Sequence, residues 1–291
     1  MKRLFVLAAS AAALVAVAAT AGMTATSGMR DEHPAANHVL LLSIDGLHQS
    51  DLSWYVRRNP SSALAKLVHK GVEFTDARTP FPSDSFPGMV GQVTGGNPKS
   101  TGIYYDDSWN HSMFPAGTTN CSGPAPGAEV TYFEQADKNP LALDAGQGLP
   151  GLPDGILQLT GDATSLIDRG QLPEPYTSSG LRAAHAGAAA AGYFGVPAGD
   201  PRAPDVLGIS QVGAVYTGKQ AKIAEHGGDN PQDRAVPLVV SGGPVEDSGD
   251  VVDTPVETTQ IAPTILRLLG LDPNQLQAVR IEHTETLSLG G

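Results

Sequence analysis

Cysteine is almost missing from this 291-residue chain: Cys121, in TTNCSGPAPG, is the only one. A lone thiol closes no disulfide within the chain. It leaves a bond to another molecule, a thiol whose partner has been lost, or a buried inert side chain. Basic residues are also scarce, 18 against 30 acidic, for a formal net charge of −12. A surface of that sign has little nonspecific grip on nucleic acid or on an anionic membrane. Handling a phosphate on it would take local positive charge, most directly a bound metal ion. No apolar run beyond the first residues is long enough to cross a bilayer, and there is no internal repeat, nucleic-acid motif or Gly-x-Ser-x-Gly.

What the chain does have begins with MKRLFVLAASAAALVAVAATAG. Lys2 and Arg3 precede an apolar run over residues 4 to 19, and Ala19-Thr20-Ala21 fits a small-x-small cleavage site. The pattern predicts a signal peptide over 1–21 and hence a secreted or periplasmic protein with no membrane span after cleavage. An uncleaved anchor is the alternative. Residues 22–37 lack periodicity and read as a flexible lead-in. Residues 38–291 are enough for one large α/β domain.

Within that domain, HVLLLSI (38–44) is nearly continuous in apolar residues and ends at Asp45-Gly46, the pattern of a strand buried on both faces. SSALAKLVHK (61–70) predicts a helix ended by Gly71, and 71–77 a second strand. A helix is expected from about Pro87 to Thr94. Alternation of strand and helix favours a mainly parallel sheet with helices on both faces. From about 110 to 177 Gly and Pro are dense and periodicity is poor, so this region is predicted irregular. The alanine-rich stretch 178–194 predicts a helix, 204–217 strand material broken by turns, 236–241 a buried strand and 258–269 a closing helix.

Two positions carry chemistry. Asp45 lies just past a strand, where open α/β sheets gather ligands and where a carboxylate suits a divalent cation. Ser85 precedes Phe86-Pro87 at a helix start, where free amides and the helix dipole favour an anion. A serine needs a base or a metal to become a nucleophile, and a plain N-cap is the structural alternative.

LLLSIDG followed by TPFPSDSFPGMVGQVTGGNPKSTGIYYDD resembles the type I phosphodiesterase/nucleotide pyrophosphatase family of the alkaline phosphatase superfamily. The resemblance implies an alkaline-phosphatase-like fold, two divalent ions, zinc by preference, and a phosphodiester or nucleotide as small-molecule substrate. It implies Asp45 as a metal ligand and Ser85 as nucleophile and metal ligand. KIAEHGGDNPQDRAVPLVVSGG resembles the family's late His-Gly segment and implies His226 as a metal ligand. Where the family commonly carries an Asn that holds the phosphoryl group, this chain reads Tyr104-Tyr105-Asp106-Asp107, which makes Asp106 the candidate substrate-binding residue.

The resemblance covers 38 to about 110 and about 178 to 275. The Asp and His ligands that the family takes from mid-chain have no match between Asn110 and Lys222, as if an internal block were missing. His48 is the best substitute ligand. His185 reads as structural, Asp200 and Asp205 as turn formers, and Asp84 as a helix cap. A sulfatase is set aside because no Arg follows Ser85-Phe86-Pro87 at the expected step. The sequence therefore supports an exported metal-dependent phosphohydrolase with a serine nucleophile. The competing reading is an inactive, shortened homologue that binds metal or anions weakly.

Overall fold

A computed structural model describes residues 35–131, 179–214, 226–245 and 248–289. The predicted signal segment 1–21 and most of the irregular region predicted over 110–177 lie outside them. After Asp45, α1 (Gln49–Arg58) starts at His48 and α2 (Ala63–Lys70) starts at Ser62, whose hydroxyl accepts the Ala65 N–H at 3.1 Å. That is an ordinary serine N-cap. Leu52 and Val56 of α1 pack on Ala65 and Val68 of α2. The chain then enters β1 (Val72–Phe74) and β2 (Ala77–Arg78), and α3 (Ser85–Thr94) follows with Gly95 as its left-handed C-cap. A side chain at Gly95 would also strike Val279, so both conformation and space require glycine there.

A short helix, α4 (Pro98–Thr101), leads to a hairpin of β3 (Asp107–Asn110) and β4 (Ala128–Thr131). Cys121, on the connection between them, is exposed and free, which removes the buried-thiol reading. Beyond 178 come β5 (Leu181–Ala186), α5 (Ala188–Tyr193), β6 (Val206–Ser210), α6 (Pro231–Arg234) and β7 (Leu238–Val240). The chain closes with β8 (Val251–Val252), β9 (Val256–Glu257), α7 (Ile261–Leu268) and α8 (Gln277–Glu282).

The result is a mixed α/β molecule with small sheets. β1 lies between β7, antiparallel to it, and β8, parallel to it; β2 pairs with β9 in parallel, and β3–β4 and β5–β6 are antiparallel. The expected mainly parallel sheet is thus not what the described residues form. Residues 38–44 join no strand in it. The predicted helix over 178–194 is a strand for its first half, because β5 pairs with β6 and half-buries alternate residues. The helix begins only after Gly187, whose φ of 54° breaks the two apart. The apolar cores are separate: Val72, Phe74, Ala77, Leu238, Ile261 and Leu287 form one, and Tyr104, Ala190, Phe194, Leu207 and Ile209 another. Among the described residues no helix is long and apolar enough to cross a membrane.

Candidate functional site

Three distant stretches meet at the start of α3. Asp45 follows the 38–44 run, Ser85 is the first residue of α3, and His226 precedes the Gly227-Gly228 pair. Ser85 Oγ donates to Asp45 Oδ2 at 3.1 Å and lies 3.5 Å from His226 Nε2. His226 Nε2 is in turn 3.3 Å from Asp45 Oδ1. The other ring nitrogen, Nδ1, is 3.0 Å from the Ser83 carbonyl oxygen and donates to it, which fixes the ring plane. The structure therefore brings the sequence-predicted residues Asp45, Ser85 and His226 together.

Electrostatics bind the three. The hydrogen bond to Asp45, helped by that carboxylate's charge and by the Ser83 carbonyl, outweighs partial burial and pushes the His226 imidazole up to about 9. Asp45 is held below the usual carboxylate value chiefly by its hydrogen bond from His226. Raised this far, the His226 imidazole favours its charged form near neutral pH, and both of its ring nitrogens face acceptors.

Asp106 is brought to the same place. Its Oδ1 accepts the Phe86 N–H at 3.2 Å, and its own N–H donates to Asp84 Oδ2 at 3.2 Å. Burial first, and the Asp106 carboxylate second, push Asp84 up to about 6. Asp84 is the N-cap residue of α3 by backbone position, as the sequence suggested, but its carboxylate also faces the site.

A cavity of about 240 Å³ opens here, with Asp45, His48, Asp84, Ser85, His226 and Asp233 on its wall. A larger one, about 350 Å³, lies among His111, Asp200 and Asp205 and shares none of these residues. His48 reaches the wall with its Nδ1 engaged to Asp51 at 3.0 Å. His185 is on β5 rather than a helix, stacked against Tyr193. Asp200 is paired with Arg202, and Asp205 with His111. Sequence reasoning missed Asp233 and Ser83. Asp233 had a usable signal, standing two residues after Pro231 in the short helix just beyond His226. Among the described residues no group of three or more His, Cys, Asp or Glu is placed to hold a metal ion.

Residues 39–120 match the sequence profile of the family described as type I phosphodiesterase / nucleotide pyrophosphatase. Among curated proteins none matches this chain. A solved structure of murine ectonucleotide pyrophosphatase/phosphodiesterase 5, an inactive variant in complex with AMP, is similar at 12% identity and a TM-score of 0.49. The likeness covers 83% of this chain and 96% of that one. The resemblance to the type I phosphodiesterase/nucleotide pyrophosphatase family is thus shown over residues 39–120, the stretch that carries Asp45, Ser85 and Asp106.

Proposed function

We propose that this chain is an exported hydrolase of the phosphodiesterase type, with Ser85 as nucleophile and a phosphodiester or nucleotide as substrate. The observation that carries the reading is the convergence of Asp45, Ser85 and His226, from three separate stretches, within 3.5 Å of one another at a helix start. In-line attack of Ser85 Oγ on phosphorus forms a seryl phosphate ester and breaks the bond to the leaving oxygen. Water then hydrolyses that ester and restores the hydroxyl. The Ser85 proton already points at Asp45 Oδ2.

Carboxylate and hydroxyl oxygens with an imidazole nitrogen are donors of the kind a divalent ion takes. Asp45, Ser85 and His226 would be its protein ligands, with His226 giving up its Nε2 proton. Such an ion would lower the Ser85 hydroxyl pKa and offset phosphoryl charge. Among the described residues no group of three or more His, Cys, Asp or Glu is placed to hold even one ion. That shortage favours the alternative, a shortened homologue that binds a metal or an anion without turnover.

Zinc content by elemental analysis, with hydrolysis of a chromogenic phosphodiester by the same protein and by Ser85→Ala, separates the two. One or more equivalents of zinc with hydrolysis abolished in Ser85→Ala is the expected result. Hydrolysis no greater than that of Ser85→Ala would leave the binding role.

A further inference from the structure

The start of α3 has only two amides that can face a ligand beside the Ser85 hydroxyl. Pro87 has no N–H, and the Gly88 N–H is spent on the Asp84 carbonyl at 3.0 Å. The remaining two are on Ser85 and Phe86, and the Phe86 amide already meets a protein carboxylate, Asp106 Oδ1 at 3.2 Å. Asp106 comes from 20 residues along the chain and is anchored by its own N–H to Asp84 Oδ2 at 3.2 Å. An anion is thus seated on this helix start, and it is part of the chain.

We propose that Asp106 is a built-in competitor for the phosphoryl group: its carboxylate holds the Phe86 amide, the seat that a phosphoryl oxygen needs beside Ser85, and must be displaced for an anion to bind. The inference rests on Ser85 being the reacting group, and it adds a specificity. A dianion, such as inorganic phosphate or a phosphomonoester, meets Asp84 and Asp106 with more repulsion than a monoanionic diester does. Asp106 therefore biases the site toward diesters.

Inorganic phosphate is the probe, titrated calorimetrically into the full chain in the presence of a chelator, so that metal binding is not what is read. Asp106→Ala opens the seat, and Asp106→Asn removes its charge while nearly keeping its shape. Circular dichroism melts establish that each variant folds; if the alanine variant does not, the asparagine variant decides. Both variants are expected to bind phosphate roughly tenfold or more tightly than the wild type. The Phe86 amide resonance should shift on phosphate addition in the variants at concentrations that leave the wild type unmoved. Equal affinity in all three proteins, or binding in none, would overturn the proposal. The two readings fail separately. A gain in phosphate affinity with full hydrolysis by Ser85→Ala keeps the competitor and removes the nucleophile. Ser85-dependent hydrolysis with no gain does the reverse.

Discussion

Ser83 ties the two halves of the candidate site together, and no motif marks it. Its hydroxyl donates to the Gly228 carbonyl at 3.1 Å and accepts the Gly227 N–H at 3.2 Å, while its carbonyl takes the His226 Nδ1–H at 3.0 Å. The residue is buried, so loss of the hydroxyl leaves two backbone groups without this partner. Ser83→Ala is expected to cost about 1–3 kcal/mol of stability by urea unfolding. Because it frees the loop that carries His226, zinc affinity should fall with no donor atom changed. Unaltered zinc affinity at lowered stability would confine Ser83 to a structural part. Asp45 and Ser85 stood out in the sequence by residue type and place, at the end of an apolar run and before a Pro in a first helical turn, whereas His226 stood out only through the resemblance of its segment. A loop serine acquires meaning only when residues 145 apart are brought together.

Between elements, the clearest clasp joins α8 to the start of α4. Glu282 Oε1 accepts the Asn97 N–H at 2.8 Å, and Oε2 accepts the Asn97 side-chain amide at 2.9 Å with Lys99 at 3.4 Å. Burial alone would raise the Glu282 carboxyl, but hydrogen bonds from Ser100 and Asn97 and the Lys99 charge together hold it below its usual value. A depressed folded value adds stability above the unfolded value, about 4.3, and that stability is lost as pH falls through the folded value. Glu282→Gln should therefore cost about 1–3 kcal/mol near neutral pH, with the gap to the wild type narrowing below about pH 4. Urea unfolding at both ends of that range checks it; a gap that does not change with pH would mean that the carboxylate charge contributes nothing. The elements themselves were legible wherever local signals agreed. Ser62 and Gly71 bracket α2, and the apolar spacing of 258–269 gives the helical α7 after a short 3₁₀ turn. β5 was not legible: RAAHA has the composition of a helix, and pairing of His185 with Leu207 and Ala184 with Gly208 overrides it.

For the whole molecule, the decisive departure is the 38–44 run. Its composition demands burial, yet Leu40 is 81% exposed, Leu42 65% and Ile44 59%, while Val39 and Leu41 are each 37% exposed. Exposure that alternates over Val39 to Leu42 is the period of an extended chain with one face uncovered. Among the described residues β7 pairs on one side only, with β1. A buried central strand needs a neighbour on each side, and composition cannot say whether the chain provides them; that is why the mainly parallel sheet was expected and not found. An uncovered apolar run in extended chain favours pairing with the same run of a second copy, where two identical segments can lie side by side. Sedimentation velocity should therefore show a dimer that grows with protein concentration. Leu42→Lys places a charge at the centre of that contact and should shift the equilibrium to monomer while leaving Asp45, three residues away, in place. A wild type that stays monomeric at every concentration would mean that the run is covered from within the chain.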